Sequence, residues 1–245
     1  MFYILSDIHG QKRRFDSIMK QIDLQPEDTL YVLGDVIDRN RDGIRILRQL
    51  MTMPNVKMIL GNHEHMMLDA LYYSHNSYEF GWAYRQEQRM NLWYRNGGKV
   101  THDHLKRIRK SLRNEIFEYL DNLPLNEELV VNGNRFILAH AAPVELFAKY
   151  RSFTKYTSEK DFALWYRFNE FDTSPCDGTV IFGHTITSHF QPNSPLCIWH
   201  GPGLICIDCG CSTPEWNDPH STRKGRLACL RLDDMQEFYS EELES

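Results

Sequence analysis

Short apolar, β-branched runs recur along the chain and break off into polar loops. Phe2–Leu5 runs into Ser6-Asp7-Ile8-His9-Gly10, Leu30–Leu33 into Gly34-Asp35-Val36-Ile37-Asp38-Arg39, and Val56–Leu60 into Gly61-Asn62-His63-Glu64. Later, Phe136–Ala139 runs into His140-Ala141-Ala142-Pro143, Val180–Phe182 into Gly183-His184-Thr185, and Leu204–Ile207 into Asp208-Cys209-Gly210. Such runs read as buried strands. Leu227–Leu232 and Glu237–Tyr239 read as closing strands. Between these runs the period changes. Phe15, Ile18, Met19 and Ile22 fall at helical spacing, and Ile44, Leu47, Leu50 and Met51 do much the same. Leu105, Ile108, Leu112, Ile116 and Leu120 form one long apolar stripe that stops before Pro124. The first half is therefore βαβαβα, which favours parallel pairing with helices over the sheet faces. The closer spacing of the later strands predicts antiparallel pairs. The expected fold class is α/β, with mixed β-sheets sandwiched by helices. The length suits a single domain over 1–245, with a helical insert around 64–134.

Ligand-type side chains follow the ends of five of these runs. In α/β sheets, ligands bind where loops meet at the carboxyl ends of the strands. Asp7, His9, Asp35, Asn62, His140 and His184 are thus expected to share one cleft as metal ligands. Oxygen and imidazole donors suit hard and borderline divalent ions. Alternation on an extended segment would put Asp7 and His9 on one side. Asp35 has two oxygens and can bridge two ions, while Asn62 offers a neutral amide oxygen. Two ions about 3.5–4 Å apart would clamp a phosphate and acidify a shared water, whose hydroxide attacks phosphorus in line. Gly34 and Gly61 allow sharp turns close to a ligand. His63 is the candidate general acid, with Asp38 orienting its imidazole. Arg39 carries a donor fork suited to phosphate oxygens and to transition-state charge.

Composition narrows the class. Net charge is −5, which argues against a general nucleic-acid binder; it is the ligand constellation, not the composition, that makes a phosphorylated substrate, protein or nucleotide, the expected partner. The N-terminal stretch lacks a basic region followed by a long apolar one, and no run approaches a membrane span. The six cysteines all lie after residue 175, so a disulfide scaffold is not expected and a cytoplasmic location is. Cys206, Cys209 and Cys211 read as buried thiols, because a closed zinc site needs a fourth ligand. His65, His75, His102, His104, His189, His200 and His220 read as surface or supporting groups. Tyr72, Tyr73 and the aromatics of 80–84 read as core or cleft lining, and the acidic tail from Glu237 as a solvated end.

The strings SDIHG, GDVIDR, GNHE, AHA and GHT, in this order, resemble the calcineurin-like metallophosphoesterase superfamily. The Asp38-Arg39 pair and the intact GNHE look like its phosphoprotein-phosphatase branch, which holds bacterial protein phosphatases and the symmetrical diadenosine tetraphosphatase. The resemblance implies a four-layer fold. It implies that Asp7, His9 and Asp35 hold one ion and that Asp35, Asn62, His140 and His184 hold the other. It implies two divalent ions, manganese first, with iron, zinc and magnesium as alternatives. Ala163-Leu164-Trp165-Tyr166-Arg167 is similar to a family string carrying a second phosphate-binding arginine, which assigns that role to Arg167 beside Arg39 and Asn62. Two positions depart from the pattern: Asn40 replaces a glycine, with left-handed backbone expected there, and Ala142 replaces another. The implied activity is phosphomonoester hydrolysis, as a Ser/Thr protein phosphatase. The alternative is symmetrical dinucleoside tetraphosphate hydrolysis, with the 64–134 insert supplying an adenosine pocket. A ligand-poor scaffold is disfavoured because every ligand is present.

Overall fold

The runs that leave one polar loop after another assemble into two five-stranded sheets in the computed structural model, which describes residues 1–73, 82–174, 176–191, 195–212 and 224–241. The first sheet has parallel β1 (Phe2–Leu5), β2 (Thr29–Val32) and β3 (Val56–Met58). The closing strands β9 (Ala228–Arg231) and β10 (Gln236–Tyr239) add to it antiparallel, giving the order β10-β9-β1-β2-β3. The second sheet runs β4 (Asn126–Val131), β5 (Asn134–Ala139), β6 (Thr179–Phe182), β8 (Leu204–Cys206), β7 (Trp199–Gly201). Its three central strands are parallel and its two edges antiparallel.

Alternation along the strands explains the layers. Ile4, Tyr31 and Leu33 of the first sheet pack with Leu138, Ile181 and Ile205 of the second in one cluster between the sheets. Their neighbours Tyr3, Leu5, Leu30 and Val32 face the other way, into helices. Those helices include α1 (Lys12–Ile22), α2 (Gly43–Met51), α3 (Asn62–Leu71), α4 (Trp82–Arg95), α5 (Lys99–Leu105) and α6 (Lys110–Asp121). Phe15 and Ile18 of α1 are fully buried there, each stabilising the fold by about 1.5–3 kcal/mol. On the far side of the second sheet, Ile137, Val180 and Phe182 pack on Phe147 of α7 (Phe147–Tyr150) and Phe162 of α8 (Glu159–Trp165). The result is helix, sheet, sheet, helix, the expected sandwich.

Several boundaries differ from the sequence expectation. The stripe from Leu105 to Leu120 is two helices, because Arg109 is extended (φ −61°, ψ 146°) and restarts the helix at Lys110. No Gly or Pro marks this break, so apolar spacing alone ran across it. β2 and β3 stop at Val32 and Met58, and Leu33 and Leu60 beyond them stay buried. Edge strands β4 and β7 were not anticipated: Glu127 and Glu128 mask the first, and His200 and Gly201 the second. Among the described residues no helix is long and apolar enough to cross a membrane.

Candidate metal centre

Every ligand candidate follows the carboxyl end of a strand: Asp7 and His9 follow β1, Asp35 β2, Asn62 β3, His140 β5 and His184 β6. The backbone there is not extended. Asp7 (φ 53°), His9 (45°), Asp35 (55°), Asp38 (70°), Arg39 (63°) and His184 (62°) are all left-handed. The alternation argument for Asp7 and His9 is thereby corrected: a left-handed pair, not a strand, brings them together. Such conformations cost about 1–3 kcal/mol each and persist only where neighbours enforce them. Backbone bonds from His9 N to Asp35 O and from Gly10 N to Val36 O (both 2.9 Å) lock the first two loops together. Gly34 and Gly61 abut, since a Cβ on Gly34 would lie 2.5 Å from Gly61 Cα. The Asn40 expectation is also corrected: the left-handed residues of that turn are Asp38 and Arg39, and Asn40 donates from Nδ2 to His9 O (2.9 Å). Ala141 and Ala142 are buried, with their N–H groups directed to Ala163 O.

Glu64 ends the GNHE string and carries a structural role that the string does not announce. Its Oε2 accepts Asp35 N–H (2.8 Å), and its Oε1 accepts the N–H groups of Val36 (2.9 Å) and Ile37 (3.2 Å). Burial, followed by the charge of Asp35, pushes its carboxyl up to about 7. A fully buried acid in the first turn of α3 thus clamps the loop that carries Asp35. An acid at a helix start reads from sequence as a dipole partner, so its reach into the neighbouring loop was hidden.

The imidazoles show what the cleft is built to hold. His9 Nδ1 donates to Ile37 O (3.0 Å), so its Nε2 lone pair faces Asp35 Oδ2 (3.6 Å) and Asp7 Oδ1 (3.8 Å). His140 Nδ1 donates to Leu33 O (2.8 Å), which turns its Nε2 toward Asn62 Oδ1 (2.8 Å) and Asp35 Oδ1 (3.6 Å). His184 Nδ1 lies 3.1 Å from the same Asn62 oxygen, and its Nε2 is buried without a partner. Burial, aided by His63, keeps His9 neutral; burial, aided by His140, does the same for His184. Electron-rich atoms therefore face one another, an arrangement that a cation between them relieves. Tying the far imidazole nitrogen to a carbonyl is how proteins orient metal-binding histidines. Potential ligand atoms lie within 4.8 Å of one another in two groups, His9–Asp35–His63 and Asp35–His140–His184, with Asp35 common to both. The residues fit a pair of divalent ions sharing one carboxylate.

The carboxylates agree with this. Burial, then the charge of Asp35, raises the pKa of Asp7, which also accepts His184 N–H (3.0 Å) and the Ser6 hydroxyl. Burial opposes the charge of Asp35, yet His140, His63 and His9 around it, with the His63 N–H (3.0 Å), drive its pKa down.

His63 is set apart from the other imidazoles. Its Nδ1 is 2.8 Å from Asp38 Oδ2, and its Nε2 is 3.4 Å from the Arg39 guanidinium. A fixed cation there disfavours a metal on the same nitrogen. Burial lowers the His63 pKa, but Asp35 and Asp38 outweigh it and favour the imidazolium. Arg39 is exposed and also donates to Ser212 Oγ (2.8 Å). Arg167 follows α8 and is exposed, with Nη1 donating to His184 O (3.0 Å) and Thr185 Oγ1 (3.1 Å), so it lies at the rim of the ligand loops.

A family model for calcineurin-like phosphoesterases matches residues 1–206, most of the chain, and decides the family. The chain belongs to the calcineurin-like phosphoesterases. Among its relatives, serine/threonine-protein phosphatase 2 of Salmonella typhimurium is 29% identical over 140 residues, 57% of each chain. A symmetrical bis(5'-nucleosyl)-tetraphosphatase of Acidovorax sp. is 29% identical over 141 residues, 57% of this chain and 43% of that one. The chain thus spans about half the length of the curated relatives it matches. A solved metallophosphoesterase from Sphaerobacter thermophilus superposes with a TM-score of 0.51 at 16% identity, covering 99% of this chain and 88% of that one. A protein serine/threonine phosphatase from Saccharomyces cerevisiae gives 0.54 at 13% identity, with 100% and 80% covered. At these identities the solved structures speak for the fold alone.

The remaining candidates fall outside the candidate centre. The thiols of Cys206 and Cys211 donate to Thr185 O (2.9 Å) and Ile8 O (3.5 Å), and burial pushes Cys211 up to about 12. His102 meets the Tyr94 hydroxyl at 2.5 Å, and His200 meets Glu237 at 2.7 Å. Tyr72 and Tyr73 pack against the helical cluster, and Tyr84 is exposed. His75, His220, Phe80 and the tail residues 242–245 lie outside the described residues.

Proposed function

We propose that this chain is a dinuclear phosphomonoesterase acting on phosphorylated Ser or Thr side chains, with manganese as its working ion. The observation that carries the reading is Asp35, whose Oδ2 faces His9 Nε2 and whose Oδ1 faces His140 Nε2, each at 3.6 Å. Asp7, His9 and Asp35 would hold one ion; Asp35, Asn62, His140 and His184 the other. When bound, the pair supplies Lewis acidity, neutralising phosphate charge and acidifying water. The chain's own residues do the rest. The exposed Arg39 and Arg167 grip the free oxygens of a terminal phosphate, with the Asn62 amide beside them. His63, held through Nδ1 by Asp38, presents Nε2 to the leaving oxygen and protonates it. Two forks suit a monoester, which has more free oxygens than an internal phosphate. Six free cysteines support a reducing compartment, the cytoplasm. The test is release of phosphate from p-nitrophenyl phosphate and from phosphoserine and phosphothreonine peptides, with manganese added and metal content measured. Inactivity on both by protein carrying two ions per chain removes the reading.

A second substrate class has an observation of its own. A cavity of about 340 Å³ lies between Leu92 and the stretch holding Lys155, Tyr156 and Trp165. The Trp165 ring stands edge-on to His184, with centroids 5.8 Å apart. Aromatic walls and a lysine beside the ligand loops would accept a nucleobase and a further phosphate, which favours a dinucleoside polyphosphate. Chromatography of diadenosine tetraphosphate digests decides: ADP as sole product supports it, and intact substrate removes it.

A further inference from the structure

Trp93 lies on α4, in the stretch between Glu64 and Asn134 that carries no family motif. Its side chain is fully buried. The indole Nε1 donates to Asp38 Oδ2 at 2.8 Å, the same oxygen that meets His63 Nδ1 at 2.8 Å. Thr101, on α5, accepts the Asp38 backbone N–H through Oγ1 at 3.0 Å, and Gly97 O accepts the Arg39 N–H at 3.1 Å. Gly98 makes this approach possible, since a Cβ there would collide with the Trp93 indole. The His102 ring packs near the indole, 5.7 Å away between centroids.

These bonds have a purpose in the chemistry of the acid. A carboxylate turns easily about its terminal torsion, so one bond to an imidazole does not fix its plane. Asp38 Oδ1 has no hydrogen-bond partner, which leaves Oδ2 to carry both donors. A second donor held by a rigid, packed indole fixes that oxygen and supports a buried charge that would otherwise be costly. Thr101 fixes the left-handed backbone of the same residue.

We propose that Trp93 and Thr101 are positioning residues for proton donation by His63, acting through Asp38. The inference rests on His63 as the acid, as read above, and it gives the motif-free insert a share in the chemistry.

The test separates proton donation from general damage. p-Nitrophenolate leaves without a proton far more readily than phenolate, so a misplaced acid shows on phenyl phosphate. In manganese-loaded enzyme, Trp93→Phe and Thr101→Val are expected to lower kcat on phenyl phosphate about 10- to 100-fold and on p-nitrophenyl phosphate less than about fivefold. KM and the two bound ions should hardly change, and Thr101→Ser, which keeps the hydroxyl, should recover the rate. His63→Asn serves as the reference and should show the same leaving-group dependence, more steeply. Equal losses on both substrates, or losses confined to KM or to metal content, overturn the inference. A leaving-group dependence in His63→Asn that is absent from both variants overturns it alone. Its absence from His63→Asn removes the acid assignment and this inference with it. Should Trp93→Phe not fold, the Thr101→Val and Thr101→Ser pair decides by the same measurements.

Discussion

Asp35 presents each carboxylate oxygen to a different imidazole: Oδ1 lies 3.6 Å from His140 Nε2, and Oδ2 lies 3.6 Å from His9 Nε2. Asp35→Asn keeps the shape and removes the charge both ion sites share. It should abolish turnover and lose both ions, as elemental analysis of the purified variant would show; two ions retained would contradict the shared site. His63 sits one residue from Asn62 but commits Nδ1 to Asp38. His63→Asn should therefore keep both ions and slow the chemistry by about 10²–10⁴-fold. Single-turnover rates on metal-replete protein check this, and a variant stripped of metal would put His63 among the ligands. At this scale the ligand candidates were legible because few residue types serve as metal donors and each followed a strand end. The supports were not. Glu64, Trp93 and Thr101 act on neighbours through backbone amides or a single carboxylate oxygen, and such bonds leave no spacing signal.

Among the elements, α3 runs from the ligand loop at Asn62 into the helical layer and carries His65 on its half-buried side. Burial, then the charge of Lys160, lowers the His65 pKa to about 4. The unfolded value is about 6.5, so the unfolded chain binds more protons below that pH. The stability from His65 is fully present above about pH 6.5 and drains away as the pH falls toward 4. Between pH 7.5 and pH 5 this amounts to about 2 kcal/mol. His65→Gln should flatten that part of the stability profile, as urea midpoints at the two pH values would show; parallel profiles would mean that His65 stays neutral in neither state. The same helices show what periodicity can reveal. α1 and α2 were visible because their apolar faces meet one cluster directly. The break between α5 and α6 was not, because Leu105 and Ile116 face that cluster from both sides of it. Strand β4 was missed for the opposite reason: it is an edge with Val130 exposed.

Across the whole molecule, the centre straddles the two sheets. Asp7, His9, Asp35 and Asn62 come from loops of the first sheet, and His140 and His184 from loops of the second. The βαβαβα order and the later antiparallel strands were readable from the chain, but the face-to-face pairing of the sheets needed the alternation of Ile4 and Leu5 resolved into separate clusters. Between the sheets the contact is apolar; at the loop end it is a set of lone pairs and carboxylates that repel without a cation. Ions bound there would act as a clasp between the layers, so binding should stabilise the native state beyond its local contacts. At a free concentration one hundred times Kd, each ion adds about 2.7 kcal/mol. For a chain of this size that raises Tm by about 5–10 °C per ion. Manganese titrated into chelator-treated protein should produce this rise by differential scanning calorimetry, and Asp35→Asn should not respond. A midpoint indifferent to both chelator and manganese would mean that the loops of the two sheets are held by their hydrogen bonds alone.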